Sequence, residues 1–241
     1  MTQSAATVAA VIPACNEAAT IRDVAQRTLA QLALVIVVDD GSDDGTSAAL
    51  DGVPVILLRN GANCGKAASL RRGALEAIRR GARAIVTLDG DGQHCPEDIP
   101  LLLNAFRAAP DHIIIGSRLH HRDKIPAPRY WANRVANYWI SRAAGYRIAD
   151  SQSGFRIYPA VIFERAQVRY DRAASFVFES EILIDAPRLG ASAICVPVSV
   201  VYSPRMRPSH FRPMVDIIRI VRMVAGKLLT GRPPSALRYH E

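Results

Sequence analysis

Residues 86–94 read VTLDGDGQH, an apolar run that changes abruptly into a polar one. Ala84 to Leu88 predict a buried strand, and the polar residues from Asp89 onward predict its exposed carboxyl end. Open α/β sheets bind their ligands at that end of the strands. Asp89 and Asp91 flank a single glycine, and paired carboxylates of this kind suit Mg²⁺ or Mn²⁺, which in turn binds diphosphates. A solvated Asp-Gly turn without a ligand is the alternative.

The chain before residue 118 alternates strand-like apolar runs with helical patterns. This alternation predicts an α/β fold whose mostly parallel sheet is covered by helices on both faces. The predicted strands are residues 7–14, 34–40, 53–58, 84–89 and 112–117, and the predicted helices are residues 17–34, 45–50, 66–80 and 96–108.

The pattern changes in the second half of the chain. Residues 120–145 are basic and aromatic, and they predict a loop followed by an amphipathic helix. The residues at helical spacing are Trp131, Val135, Tyr138, Trp139 and Arg142. Residues 213–241 predict a C-terminal amphipathic helix with a tail. Its apolar stripe either packs on the protein, pairs with a second copy in a homodimer, or lies in a membrane interface.

Charge and cysteine content limit the partners and the compartment. The net charge is +8, yet residues 1–110 hold 10 Lys+Arg against 12 Asp+Glu, whereas residues 111–241 hold 20 against 10. Nucleic acid, an anionic membrane and phosphorylated substrates are all compatible with the basic half. The four cysteines lie far apart and indicate reduced thiols in a cytoplasm. With no basic n-region and no run of about 18 uncharged apolar residues, neither secretion nor membrane spanning is expected.

Two other predicted strand ends are also polar, PACNE at 13–17 and DDGSDDGT at 39–46. Both would meet residues 89–94 at one edge of a parallel sheet, where consecutive strand ends can enclose a nucleotide. The Asp40 carboxylate could accept hydrogen bonds from a uracil imide or a ribose hydroxyl. PACNEAAT contains no glycine-rich dinucleotide fingerprint, so a nicotinamide or flavin enzyme is disfavoured.

Six segments, in this order and spacing, resemble the inverting GT-A glycosyltransferases of family 2. They are VIPACNEAATI (11–21), VVDDGSDDGT (37–46), GKAASLRRG (65–73), VTLDGDGQHCPEDIP (86–100), IIIGSR (113–118) and DSQSGFRIY (150–158). Within that family the chain is most similar to the dolichyl-phosphate mannosyltransferase type, which transfers a sugar from a nucleotide sugar to a polyprenyl phosphate. The likeness runs from residue 7 to about residue 215 and implies a GT-A fold.

The resemblance assigns roles on the donor side of the site. Asp89 and Gly90 would meet the ribose and diphosphate, Asp91 and Gln93 would hold the metal, and Lys66 would lie near the diphosphate. An exposed lysine at a helix start is the alternative for Lys66. The implied nucleobase pocket consists of Pro13, Cys15, Glu17, Val38 and Asp40. Cys15 departs from the family pattern, which often has tyrosine there, and this puts base selectivity in question.

On the acceptor side, the resemblance makes Arg118 and Arg129 contacts of the acceptor and donor phosphates. A solvated basic loop is their alternative. The segment RMRPSHFRP resembles a mobile segment that closes over the diphosphate, with Arg205, Arg207 and His210 as candidates.

Three carboxylates are available in the acceptor half. Asp150 is the first candidate for a general base, Glu181 for orienting the acceptor, and Glu179 for an exposed companion on the same helix. A structural role as a cap or ion-pair partner is the alternative for each. A phosphate acceptor needs no base, whereas a hydroxyl acceptor does.

The sequence therefore predicts a catalytic domain over residues 1–212, with a nucleotide-sugar half (1–117) and an acceptor half (118–212), followed by the helix and tail of 213–241. The expected reaction is inverting, uses Mg²⁺ or Mn²⁺, and moves a sugar from a UDP- or GDP-linked donor to a polyprenyl phosphate or another lipid acceptor. The protein is expected in the cytoplasm, either free or peripheral on the cytoplasmic membrane face, without nucleic acid as a partner. A soluble hydroxyl acceptor, a sugar-phosphate nucleotidyltransferase and a nucleic-acid-binding module are the alternatives.

Overall fold

The computed structural model of the protein describes residues 7–119, 125, 127–166, 177–199 and 224–226. Seven strands form one sheet in the order β3-β2-β1-β4-β6-β5-β7. Their bounds are β1 Val8–Ala14, β2 Leu34–Asp39, β3 Ile56–Arg59, β4 Ala84–Thr87, β5 Ile113–Ser117, β6 Arg156–Pro159 and β7 Ala193–Pro197. Strand β6 is antiparallel to β4 and β5, and the other neighbours pair in parallel. The predicted mostly parallel sheet is confirmed.

The described helices are α1 Ile21–Leu29, α2 Lys66–Arg79, α3 Ile99–Ala108, α4 Ala127–Ala144, α5 Ala160–Arg165 and α6 Phe178–Asp185. Short 3₁₀ turns lie at Ala48–Leu50, Pro96–Asp98 and Ala186–Leu189. Each predicted strand and helix of the first half thus has a counterpart, although two helices are shorter than expected.

Side-chain hydrogen bonds explain both shorter helices. The predicted helix 17–34 begins only at Ile21, because Glu17 N–H donates to Thr46 Oγ1 and Ala18 N–H donates to Asp44 Oδ2. The predicted helix 45–50 is reduced to one 3₁₀ turn, because Asp44 Oδ1 accepts hydrogen bonds from both the amide and the hydroxyl of Thr46. Short polar side chains that bind nearby backbone in this way compete with helix formation.

Helices cover both faces of the sheet, as predicted. Alternate strand residues point to opposite faces, so each strand contributes to two cores. One face packs α2, α4, α5 and α6 against residues such as Val11 and Val38. The other packs α1 and α3 against residues such as Ile12 and Val37.

The sheet brings the polar segments to one edge. The carboxyl ends of the parallel strands meet there, and because β6 runs in the opposite direction, its amino end lies at the same edge. The DSQSGF turn that precedes β6 is therefore placed beside the residues that follow β4. This antiparallel insertion joins the two halves of the sequence in one sheet.

The predicted C-terminal helix lies largely outside the described residues. Of residues 213–241 only 224–226 are described; they are helical, and Val224 is 3% exposed and part of the core on the α2 side of the sheet. Among the helices that are described, none combines the length and the apolar character needed to cross a membrane.

Close packing of α2 on the sheet requires a glycine at position 73. A Cβ atom there would lie 2.4 Å from Val11 Cγ1 and 3.0 Å from Val38 Cγ2. We expect Gly73→Ala to lower the free energy of unfolding by about 1–2 kcal/mol, since overpacking exceeds the gain of about 1 kcal/mol in helix propensity. Urea denaturation measures this difference.

Gly61→Ala is the matched control, because a Cβ atom at Gly61 meets nothing within 4 Å. Equal stability of the two variants would contradict the close approach of α2 to the sheet.

Candidate active site

The loop after β4 lies at the centre of the polar edge, because β4 is flanked by β1 on one side and by β6 on the other. Two contacts fix this loop. Thr20 Oγ1 donates to the Gly90 carbonyl oxygen at 2.6 Å, and Gln93 N–H donates to Asp91 Oδ1 at 2.9 Å. An added Cβ at Gly90 would lie 3.3 Å from Ala14 Cβ and from Ile21 Cδ1, so the loop backbone packs directly against β1 and α1.

Three charged side chains from distant parts of the chain meet beside this loop, and we call them the lysine cluster. Lys66 Nζ, at the start of α2, lies 2.6 Å from Asp89 Oδ1 and 3.3 Å from Glu179 Oε1 of α6. Gly154 closes the cluster from the DSQSGF turn. A Cβ atom at Gly154 would lie 2.9 Å from Lys66 Nζ and 3.1 Å from Asp89 Oδ2, so there is no room for a side chain.

The lysine cluster keeps Lys66 and Asp89 charged. Burial opposes the charge on Lys66, but the carboxylates of Asp89 and Glu179 outweigh it and raise the pKa of the ammonium. Burial likewise opposes the charge on Asp89, but Lys66 holds the pKa of that carboxyl well below its usual range. The side chain at Asp89 is therefore an anion already neutralised by a fixed cation.

Asp91 is in a different position. Burial, followed by the negative charge of Asp89, raises the pKa of its carboxyl. The hydrogen bond from Gln93 N–H and the charges of Lys66 and Arg118 offset this only in part. A carboxylate whose charge is disfavoured in this way gains from a nearby cation. The geometry of the loop therefore distinguishes two carboxylates that the sequence presents as a pair.

The residues present fit a divalent cation that is completed by a substrate. In the described part of the chain, no three His, Cys, Asp or Glu side chains come together in a way that could hold a metal ion. Mg²⁺ in particular is commonly held by one or two carboxylates together with substrate phosphates and water. Asp91 supplies such a carboxylate. Its neighbour Gln93 was predicted as the second ligand, and its backbone N–H already binds Asp91.

His94 stabilises the loop as a neutral side chain. It is 3% exposed, its ring stacks on Phe155 at 5.4 Å, and its Nδ1 accepts a hydrogen bond from Asp89 N–H at 3.1 Å. Burial lowers the pKa of His94 to about 3. The sequence shows a histidine in the motif, but only the structure shows that it positions the Asp89 backbone.

The predicted nucleobase residues lie around the ends of β1 and β2. Pro13 and Val38 are partners in the parallel register of these strands. Cys15 Sγ accepts a hydrogen bond from Asn63 Nδ2 at 3.1 Å, and burial raises the pKa of the thiol. Glu17 is half-buried in the turn before α1. The structure thus brings these four residues to the same edge, where their proposed contacts with a base remain predictions.

Asp40 has an evident structural task. Its Oδ1 accepts from Asn60 Nδ2 at 2.7 Å and Cys64 N–H at 2.9 Å, and its Oδ2 accepts from Gly65 N–H at 2.8 Å. Gly65 immediately precedes Lys66, so the carboxylate fixes the start of α2 and with it the lysine of the cluster.

Asp150 is also held in a network. It is 2% exposed, and its oxygens accept hydrogen bonds from Ser117 Oγ, Arg118 N–H and Gln152 N–H at 3.2–3.3 Å. Through the second of these bonds it positions Arg118, whose positive charge acts on both Asp89 and Asp91.

Several predicted site residues cannot be placed. Arg129 lies in the first turn of α4, and its side chain is outside the described structure. Arg205, Arg207 and His210 also lie outside the described residues.

One of the two glutamates of α6 is placed differently from the expectation. Glu179 was predicted to be exposed, but its side chain is only 12% exposed and lies 3.3 Å from Lys66 Nζ. This prediction is wrong, because the first turn of α6 packs against the DSQSGF turn and α2 and not against solvent. Glu181 is half-buried. Their spacing of two residues shows only that they occupy different faces of the helix.

Arg156 was not recognised from the sequence, yet it supports the site. Its guanidinium is completely buried and donates to the carbonyl oxygens of Ser151 at 2.8 Å, Ser153 at 2.6 Å and Glu179 at 3.0 Å. It also donates to Tyr158 Oη at 3.0 Å. The Arg156 side chain thereby joins the DSQSGF turn to α6. An arginine in a strand-like RIYP run gives no local sign of this role.

Comparison with known proteins places these features in a family. Residues 9–168 match the family described as Glycosyl transferase family 2. Polyprenol monophosphomannose synthase of Mycolicibacterium smegmatis is 29% identical over 174 residues, covering 68% of this chain and 65% of that protein, which is just under two thirds of its length. UDP-N-acetylglucosamine–dolichyl-phosphate N-acetylglucosaminyltransferase of Methanococcus voltae is 25% identical over 243 residues, covering 91% of this chain and 96% of that protein.

A solved structure shows the same fold. Glucosyl-3-phosphoglycerate synthase from Mycobacterium tuberculosis, in complex with Mn²⁺, UDP-glucose and phosphoglyceric acid, superposes with a TM-score of 0.67. The superposition covers 93% of this chain and 79% of that one at 18% identity. The expected GT-A fold is thereby confirmed.

Loss of the Arg156 guanidinium should destabilise the protein. Arg156→Lys keeps the charge but cannot reach three carbonyl oxygens from one planar group, so we expect the free energy of unfolding to fall by about 3 kcal/mol. Urea denaturation measures the change. Arg188→Lys is the matched control, because Arg188 is exposed and, among the described residues, its side-chain contact is an ion pair with the nearby Asp185. An equal loss of stability in Arg156→Lys and Arg188→Lys would contradict the role of Arg156 in joining the DSQSGF turn to α6.

His94 should make stability depend on pH. The imidazole of His94 takes up a proton near pH 6.5 in the unfolded chain, but only near pH 3 in the folded chain. The contribution of His94 to stability is therefore complete above about pH 6.5 and is lost as the pH falls toward 3. His94→Asn, which keeps an acceptor for Asp89 N–H, should flatten the free energy of unfolding between about pH 6.5 and 4. Urea denaturation across this range measures it, with His112→Asn as the control; an unchanged slope would refute the buried neutral histidine.

Proposed function

Because the chain is a glycosyltransferase of family 2, we propose that it transfers a sugar, with inversion, from a nucleoside-diphosphate sugar to a polyprenyl phosphate in a metal-dependent reaction. The observation that carries this proposal is the difference between two adjacent carboxylates. Asp89 is neutralised by Lys66, whereas burial and Asp89 disfavour the charge on Asp91. A loop built in this way is suited to receive a cation together with a diphosphate.

The proposed donor half combines these charges with the residue roles that the family resemblance implies. We assign Asp91 and Gln93 to the metal, and Asp89 and Gly90 to the ribose and diphosphate. A bound Mg²⁺ or Mn²⁺ would stabilise the negative charge that develops on the departing nucleoside diphosphate. Lys66 adds a fixed positive charge beside the same loop, since Asp89 and Glu179 hold its ammonium in place.

The acceptor half favours a phosphate over a hydroxyl group. A hydroxyl acceptor needs a general base, and Asp150 was the first candidate for that role. Its carboxylate is buried and already accepts hydrogen bonds from Ser117, Arg118 and Gln152. A phosphate is an anionic nucleophile at neutral pH and needs no base. We therefore propose Asp150 as the residue that positions Arg118, which with Arg129 binds phosphate oxygens.

Names of similar proteins support the same substrates. The M. smegmatis relative is named for the synthesis of polyprenol monophosphomannose, and the M. voltae relative is named for a UDP-sugar donor and a dolichyl-phosphate acceptor. The structural neighbour contains Mn²⁺ and UDP-glucose. We propose a UDP- or GDP-linked donor here, with residues 1–117 binding the donor, 118–212 binding the acceptor, and Arg207 and His210 closing over the diphosphate. Family membership displaces the nucleotidyltransferase and nucleic-acid-binding alternatives.

The test measures donor binding and transfer in one protein. Calorimetric titration with UDP and GDP, each with and without Mn²⁺, should show binding of one nucleotide that depends on the metal. Asp91→Asn should weaken that binding, and should reduce transfer from the matching nucleotide sugar to a detergent-dispersed polyprenyl phosphate, by about 100-fold or more.

Asp111→Asn is the control, because Asp111 is an exposed aspartate beyond the end of α3. Its binding and transfer should match those of the unaltered protein. Metal-independent nucleotide binding, or full activity of Asp91→Asn, would refute the proposed role of Asp91. Transfer to a soluble hydroxyl acceptor in place of the polyprenyl phosphate would refute the proposed acceptor.

A further inference from the structure

The outer face of α4 carries an unusual concentration of exposed apolar side chains. Trp131 is 58% exposed, Val135 52%, Tyr138 64% and Trp139 42%. Their spacing places them on one side of the helix. Four other large apolar side chains are comparably exposed in the described structure, namely Leu57, Leu75, Leu101 and Ile194, and they lie on four different elements. The exposed apolar surface is therefore concentrated on α4.

The opposite side of this helix consists of small or polar residues and one isoleucine. Ala136, Asn137, Ile140 and Ala144 are buried, and the alanines and Ile140 belong to the core on that face of the sheet. The helix therefore packs through its smaller side chains and presents its larger ones outward. An amphipathic helix that packs only on its own domain normally has the reverse arrangement.

The charge on this face is entirely positive. Arg134 and Arg142 are exposed and share the helical face with Trp131 and Trp139. The 18 residues of α4 contain no aspartate or glutamate. Tryptophan and tyrosine are enriched where a membrane meets water, and arginine binds anionic headgroups.

We propose that the outer face of α4, defined as Trp131, Arg134, Val135, Tyr138, Trp139 and Arg142, docks on the interface of an anionic lipid bilayer. Two other occupants fit less well. A second copy of the same face would bring like charges together. The C-terminal segment carries Arg219, Arg222 and Lys227 against a single Asp216 in the part that the sequence predicts to be helical, so it too would add positive charge to a basic face.

This docking would present the acceptor half of the site to the bilayer, an interpretation that rests on the proposed lipid-linked acceptor. Asn137, on the buried side of α4, donates to the Ala149 carbonyl oxygen at 2.7 Å and accepts from Ser151 N–H at 2.8 Å. These bonds attach α4 to the segment that contains Asp150 and leads into the DSQSGF turn. One side of the helix thus faces outward while the other supports the site.

Tryptophan fluorescence reports directly on this face. The chain contains two tryptophans, Trp131 and Trp139, and both lie on it. When phosphatidylcholine vesicles that contain phosphatidylglycerol are added to the full chain, the emission should shift to shorter wavelength, and brominated lipids should quench it. Vesicles of phosphatidylcholine alone should produce a smaller effect, because the headgroups are then zwitterionic.

Substitutions test the same face by vesicle sedimentation. Trp131→Ser with Trp139→Ser, and separately Arg134→Gln with Arg142→Gln, should each weaken binding to the anionic vesicles by about tenfold or more. Leu101→Ala is the matched control, because Leu101 is 48% exposed on α3, away from this face. It should bind vesicles as the unaltered protein does. Circular dichroism confirms that the variants are folded.

Three outcomes would overturn the proposal: vesicle binding without a change in tryptophan emission, unaltered binding of both double variants, or an emission shift that follows protein concentration and not lipid. The first two would assign binding to another segment, and the third would assign the face to a second copy. These vesicle experiments contain no sugar donor and no polyprenyl phosphate. A negative result would therefore refute membrane docking without bearing on the proposed transfer activity. With a detergent-dispersed polyprenyl phosphate, the double variants should retain transfer.

Discussion

The ion pair between Lys66 and Asp89 is the interaction on which the site depends. It joins the start of α2 to the loop after β4, and Glu179 extends it to α6. Three segments far apart in sequence are thus held around one ammonium group. Much of the surrounding structure serves this arrangement: Asp40 fixes the residue before Lys66, His94 fixes the Asp89 amide, and Gly154 leaves the space that the three side chains occupy.

This ion pair also explains how neighbouring carboxylates acquire different chemistry. Two carboxylates close together repel each other, and a cation beside one of them reduces this electrostatic repulsion. Lys66 neutralises Asp89 in this way, whereas Asp91 has no such ion pair among the described residues and the pKa of its carboxyl is raised. An anion that the protein itself leaves poorly compensated is a natural receptor for a cation brought with a substrate. In the proposed function, the nucleotide would therefore complete the metal site of this loop, and the protein would need few ligands of its own.

Local patterns predicted the parts of the structure that depend on local sequence. The strand before Asp89, the polar strand ends and the alternation of strands and helices are visible because apolar periodicity is decided within a few residues. Arg156 was missed and Glu179 misplaced because the contacts that decide their roles join residues far apart in the chain. Arg156 binds the Glu179 carbonyl oxygen 23 residues away, and the Glu179 side chain lies beside Lys66, 113 residues away. The α4 helix has one feature that local sequence decides and one that it does not. Its spacing predicts a helix, but which side is buried depends on the small residues opposite the aromatic ones.

The antiparallel insertion of β6 has a consequence for how the chain reaches this state. Strands β4 and β5 are neighbours in sequence, but each pairs with β6, and residues 156–159 must enter between them before the sheet is continuous. A nascent chain that ends shortly after β5 would hold two strand edges without a partner. Pairings of such long sequence separation form late, and unpaired edges favour association with other chains. The first half of the protein, although it carries the motifs proposed to bind the nucleotide, therefore depends on the second half to complete its fold.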